Sequence, residues 1–138
     1  MKIFVDTNVL IDVLVPRQDR SLSFTSGLFL SLRDKKGYEL CVSTISMATC
    51  AFFLKDKEDS ATKLKSLIRG ITVLDTLASD FTAALSTGEK DIEDAMQFSI
   101  AERSSCDLIA TRDKHGFLQS PIPFMTPDSI LSQIRSGD

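Results

Sequence analysis

The segment Lys2-Ile-Phe-Val-Asp6 is a short β-prone run that ends on a carboxylate, and Asp107-Leu-Ile-Ala-Thr-Arg-Asp113 repeats the arrangement near the other end of the chain. Runs this short, rich in branched and aromatic side chains and lacking alternation, read as strands buried on both faces. Further β-prone runs fall at residues 38–42 and 71–74, with a weaker one at 123–125. Helical spacing fills the gaps. Apolar residues recur at three- and four-residue steps over 22–32, and Gly37 follows Arg33, Lys35 and Lys36 as a helix stop. Residues 43–54 are apolar almost all round, which predicts a buried helix, and 60–68 predict a half-exposed one ending at Gly70. Residues 91–104 place Ile92, Ala95, Met96, Ser99 and Ile100 on one stripe behind Asp91 as the cap. Thr126-Pro127-Asp128 has the cap, proline and acid of a terminal helix. Strands alternating with helices predict an α/β fold of three layers, α/β/α, around a central, mainly parallel five-stranded sheet.

Composition agrees with one domain spanning residues 1–138. The 138 residues are 43% hydrophobic and 25% charged, without repeat, linker or charged tail. No apolar run approaches the ~20 residues of a membrane span, and Asp6 interrupts the start before a signal peptide develops, so a soluble, cytoplasmic protein is expected. Cys41, Cys50 and Cys106 are odd in number and form no CxxC pair, which predicts reduced core thiols and no structural zinc. Sixteen basic against nineteen acidic side chains give a net charge of -3, which argues against binding nucleic acid through bulk charge. Lys55, Lys57, Lys63, Lys65 and Arg69 are read as an exposed face, His115 as solvated, and Phe24, Phe29, Phe52, Phe53 and Phe98 as core. Serine-hydrolase, P-loop and dinucleotide motifs are absent from the sequence.

Chemistry is carried by the acids. In open α/β sheets ligands gather outside the carboxyl ends of the strands, where Asp6 and Asp113 should both project. Asp91, Glu93 and Asp94 open a helix that precedes the second of these strands and so begins at the same edge. Acids in a first turn also complement the helix dipole, by about 0.3 to 1 kcal/mol each, and Asp6 is itself a good cap. Three converging sources of carboxylate nevertheless repel one another unless a cation intervenes, and an all-oxygen set suits Mg²⁺ or Mn²⁺ rather than zinc. Such a centre activates water and neutralises charge on a phosphodiester, so nucleic-acid hydrolysis is the leading expectation.

Phe4-Val-Asp-Thr-Asn-Val-Leu-Ile-Asp-Val-Leu14, Asp91-Ile-Glu-Asp-Ala-Met-Gln97 and Cys106-Asp-Leu-Ile-Ala-Thr-Arg-Asp-Lys-His-Gly-Phe117 together resemble, in order and spacing, the signatures of PIN-domain proteins. The resemblance spans essentially the whole chain. It implies a parallel sheet flanked by helices, Mg²⁺- or Mn²⁺-dependent ribonuclease activity on RNA, homodimerisation and, as in many bacterial members, the role of a VapC-like toxin paired with an antitoxin protein. Asp6 matches the family's first metal-binding acid, Asn8 the polar partner in the following turn, Asp94 the third acid and Asp113 the fourth. The second acid is missing: Val42-Ser-Thr-Ile-Ser-Met-Ala-Thr49 places Thr49 where members usually carry glutamate. This resembles a subgroup with a neutral residue there and an acidic pair on the later helix, in which Glu93 would assist Asp94.

Thr111 is positioned to orient a ligand or water, Arg112 to contact a phosphate, and Thr44 to contact substrate at a strand end, although serine and threonine there also serve as caps. The rival expectation is a catalytically weakened PIN-like module that binds RNA or a protein partner.

Overall fold

The computed structural model describes residues 1–15 and 20–137. Its elements run β1 (Lys2–Val5), α1 (Thr7–Leu14), α2 (Arg20–Leu30), β2 (Glu39–Ser43), α3 (Thr44–Phe53), α4 (Ser60–Ile68), β3 (Thr72–Leu74), α5 (Ala78–Leu85), α6 (Ile92–Arg103), β4 (Leu108–Ala110), β5 (Phe124–Met125) and α7 (Pro127–Gly137). The five strands form one sheet in the order β3-β2-β1-β4-β5, and every neighbouring pair is parallel. Central β1 sets Ile3 against Leu40 on one side and Leu108 on the other.

Side-chain alternation divides the interior into two layers. Ile3, Val5, Leu40, Val42, Leu108 and Ala110 pack against Val9 and Leu10 of α1, Phe29 and Leu30 of α2, Leu67 of α4 and Ile130 of α7. Phe4, Cys41 and Ile109 point the other way, onto Ala84 of α5, onto Ala95, Phe98 and Ala101 of α6, and onto Phe117. A side chain such as Phe4, fully buried, stabilises the fold by roughly 1.5 to 3 kcal/mol. Because β2 and β4 flank β1, the chain reverses its direction of winding there. The carboxyl ends of β1 and β4 therefore border the crevice where open α/β sheets bind ligands.

Local chemistry accounts for the element ends. Gly37 and Gly70 adopt φ of 94° and 74°, left-handed values suited to residues that stop a helix. Asp91 caps α6 by accepting the Asp94 N–H, and Thr126 Oγ1 accepts the Ser129 N–H at the start of α7. Two helices carry no clear sequence signal. Helix α1 buries Asp12 among its apolar residues, whereas α5 buries little besides Asp80 and Ala84. An ion pair anchors α5, with Arg103 Nη2 2.9 Å from Asp80 Oδ2, which also accepts the Leu77 N–H.

Two core assignments are corrected. Helix α3 is not buried all round: only Ser46 and Cys50 are enclosed, because the helix packs against α1 and α4 on one side and faces outward on the other. Phe52 and Phe53 at its end are exposed, at 63% and 48%, and Phe24 on α2 is exposed as well; Phe29 and Phe98 are core. Apolar content alone does not tell which flank of a helix is covered. The three cysteines are buried and free, and burial pushes the Cys50 thiol up to about 12. The predicted basic face at Lys55, Lys57, Lys63, Lys65 and Arg69 is exposed, as is His115. Among the described residues, no helix is long and apolar enough to cross a membrane.

Candidate functional site at the carboxyl edge

Asp6 follows β1 and caps α1. Only 4% exposed, it accepts the Thr7 N–H on Oδ1 at 2.8 Å and the Thr111 hydroxyl on Oδ2 at 2.7 Å. Thr111 is placed to make this bond because β4 runs beside β1, with the Asp6 N–H donating to the Ala110 carbonyl at 2.9 Å. The fully buried Thr111 Oγ1 also accepts the Asp113 N–H at 3.0 Å, so one hydroxyl spans the two acids that end the strands. Asp113 turns Oδ1 back onto the His115 and Gly116 N–H groups, at 3.1 and 3.2 Å.

Asp94 enters from the first turn of α6. Its Oδ2 is buried without a hydrogen-bond partner, a costly state for a carboxylate. It lies directly against Gly116: a β-carbon added there would sit 1.9 Å from Asp94 Oδ2 and 3.0 Å from Asp113 Oδ2, so the missing side chain is what lets the two acids approach one another. Burial raises the Asp94 carboxyl from 3.8 to about 8, reinforced by the charges of Asp6, Asp91, Asp113 and Glu93. Asp6 rises to about 6, chiefly through burial, against the opposing hydrogen bonds from Thr111 and Thr7 and with added repulsion from Glu93 and Asp113. Glu93, more exposed, is raised by burial and by Asp91. Acids perturbed by burial and by one another at a strand edge mark a candidate functional centre.

Among the described residues, no three carboxylate, histidine or cysteine side chains already form a metal cage as they lie. The donor set nonetheless fits a hard dication. It offers oxygen ligands only, with one buried oxygen lacking any partner and repulsion that favours protonation when no cation is present.

The remaining predicted residues divide. Asn8 Oδ1 accepts the Arg112 N–H at 3.4 Å and thus reaches the Thr111–Asp113 loop. The Arg112 guanidinium, expected to face a phosphate, is instead forked onto Asp12, with Nε at 2.6 Å and Nη2 at 2.7 Å. Asp12 is 2% exposed and demands that partner. The Thr49 hydroxyl donates back to the Ile45 carbonyl at 3.1 Å, and the Thr44 hydroxyl pairs with that of Thr76 at the surface, at 2.8 Å. Sequence reasoning missed Asp12, Gly116 and the buried Gln97. Gln97 was the most accessible of the three, being a polar residue within the otherwise apolar stretch that follows Asp94.

A wholly parallel sheet with acidic side chains gathered at the carboxyl edge where its winding reverses defines an α/β protein with an acidic candidate site. The chain belongs to the PIN-domain family, whose model, described as a PIN domain, matches residues 2–115. A curated relative, "Ribonuclease VapC1" of Aquifex aeolicus (strain VF5), is 25% identical over 139 residues, covering 96% of this chain and 94% of that protein. Among solved structures, VapBC2 from Rickettsia felis bound to a DNA fragment from its promoter superposes with a TM-score of 0.65 at 17% identity, covering 91% of this chain and 98% of that one. A toxin-antitoxin complex from Klebsiella pneumoniae gives 0.68 at 16% identity, covering 90% and 96%. At such identities the structures establish likeness of fold.

Proposed function

We propose that this protein is a Mg²⁺- or Mn²⁺-dependent endoribonuclease. The observation that carries this reading is the buried, unpartnered Asp94 Oδ2 in the field of Asp6, Asp113 and Glu93. Asp6, Asp94 and Asp113 would hold the cation, and Glu93 would add negative charge at the rim. A bound dication supplies a lowered water pKa and neutralises charge developing on the phosphodiester. The protein's own groups supply order. Thr111 holds Asp6 and the Asp113 backbone in one arrangement, and Asn8 steadies the adjoining loop through the Arg112 N–H. Gly116, lacking a β-carbon, lets the Asp94 carboxylate lie close to Asp113.

RNA as substrate is supported by family membership and by the ribonuclease of Aquifex aeolicus that the chain resembles. Likeness to VapBC2 of Rickettsia felis and to the toxin-antitoxin complex of Klebsiella pneumoniae supports the role of a toxin with an antitoxin protein as partner. Homodimerisation belongs to the same reading. The testing experiment is cleavage of RNA by purified protein freed of any partner, with and without Mn²⁺. Wild type should cut only with the metal, and Asp6→Asn should fold yet not cut. Absence of cleavage by wild type, with Asp6→Asn behaving identically, refutes the reading.

Thr49 favours a second reading, a weakened module that binds RNA or a protein without cutting. Its uncharged hydroxyl, engaged with the Ile45 carbonyl, stands where the family resemblance would put the usual second acid. Calorimetry separates the two. Mn²⁺ binding that disappears in Asp94→Ala supports the enzyme, whereas unchanged melting with and without metal, alongside retained RNA binding, supports the module.

A further inference from the structure

Gln97 lies on α6 one turn beyond Asp94 and is fully buried. Its Oε1 accepts from Ser43 Oγ at 2.7 Å, while its Nε2 donates to Thr7 Oγ1 at 3.1 Å and to Ser46 Oγ at 2.9 Å. The Thr7 and Ser46 hydroxyls are themselves paired at 2.7 Å, and Ser43 Oγ accepts the Ser46 N–H at 3.1 Å. One amide therefore reads three hydroxyls from three places: the start of α1, the end of β2 and the first turn of α3. The network continues to the acids, because the Thr7 N–H is the donor to Asp6 Oδ1.

Apolar contacts already dock α6 on the sheet through Ala95, Phe98 and Ala101. Docking alone needs no amide. A buried amide surrenders hydration to make its bonds, and replacing a buried hydrogen-bonded group together with its partners by apolar groups of the same shape can be nearly neutral for stability. What the amide adds is direction, since its acceptor and donor ends are distinct and each is matched. A slide or rotation of α6 would break bonds to all three hydroxyls at once. We propose that Gln97 is a positioning residue, tying the helix that carries Asp94 to the turn that carries Asp6 and thereby setting the spacing of the carboxylates for a divalent cation. This rests on the metal-site reading above.

The test is titration of metal-free protein with Mn²⁺ in a calorimeter, comparing wild type, Gln97→Met and Ser46→Ala, with crystal structures of the two variants. Gln97→Met should fold and melt cooperatively yet bind Mn²⁺ roughly 10-fold more weakly, the lower end of the range for outer-shell partners of a metal site. Its crystal structure should show Asp94 displaced relative to Asp6. Ser46→Ala, which removes one bond of the amide with little change in volume, should weaken binding in the same direction and serves if Gln97→Met does not fold. Wild-type affinity in folded Gln97→Met, or in Ser46→Ala where only that variant folds, overturns the positioning role while leaving the metal site standing. Absence of Mn²⁺ binding by wild type overturns both.

Discussion

Gly116 stands so close to Asp94 that a single added carbon would lie 1.9 Å from the acid's Oδ2 and 2.8 Å from its Cγ. No left-handed backbone explains this glycine, in contrast to Gly37, Gly70 and Gly88, which have positive φ. Its role is to admit the Asp94 carboxylate, which fills the place a side chain would take. In Gly116→Ala the group forced to move is the end of a short side chain, so the fold should survive while the Asp94 carboxylate swings away. Mn²⁺ affinity should fall roughly 10- to 100-fold, as when a ligand's surroundings are disturbed. Calorimetry checks this, and an unchanged affinity would show that Asp94 is not a ligand.

Asp12 and Arg112 should behave as a buried ion pair. Arg112→Met strands the Asp12 carboxylate with the Ser26 hydroxyl, at 3.1 Å, as its remaining side-chain donor among the described residues, and should cost about 3–5 kcal/mol in urea unfolding. Asp12→Leu combined with Arg112→Met should recover much of that loss. If Arg112→Met keeps wild-type stability and loses only RNA binding, the guanidinium serves phosphate instead.

Stability of the metal-free protein should depend on pH with a defined sign. Folding raises Asp6 from 3.8 to about 6 and Asp94 from 3.8 to about 8, so the folded state holds protons that the unfolded chain has released. Stability is therefore greatest below about pH 4 for these two groups and declines as pH rises to about 8, levelling off once both are ionised. Melting temperatures measured across this range should fall in wild type, and Asp94→Asn should flatten the upper part of the decline. Saturating Mn²⁺ favours the ionised carboxylates, so its stabilising effect should grow over the same interval.

Thr49→Glu addresses the missing second acid. If this position faces the same crevice, the new carboxylate should lower the melting temperature of the metal-free protein through repulsion and tighten Mn²⁺ binding. Opposite movements of these two quantities are the signature; loss of stability with no gain in affinity would place Thr49 outside the site.

Much of this was legible in the sequence because it is local. The bounds of β1 and α4 were readable from an apolar run closed by Asp6 and from helical spacing closed by Gly70. Asp6, Asp94 and Asp113 were findable because parallel topology sends strand ends and the start of α6 to one edge. What escaped depends on partners remote along the chain. The acid within α1 makes sense only beside Arg112, α5 is held by Arg103, and the constraint on Gly116 comes from Asp94 on another element. Arg112 misled for the same reason: a basic residue beside a candidate ligand invites a phosphate, and the buried acid that claims it gives no local sign. Helix α3 was misjudged because apolar content reports nothing about which side is covered.

Crystals soaked in Mn²⁺ and read for anomalous scattering test the central claim most directly. The expected result is a peak within bonding distance of Asp94 Oδ2 that shares ligands with Asp6 and Asp113 and is absent from Asp94→Ala crystals. A crevice without anomalous density at saturating Mn²⁺, with the three carboxylates unmoved, would contradict it.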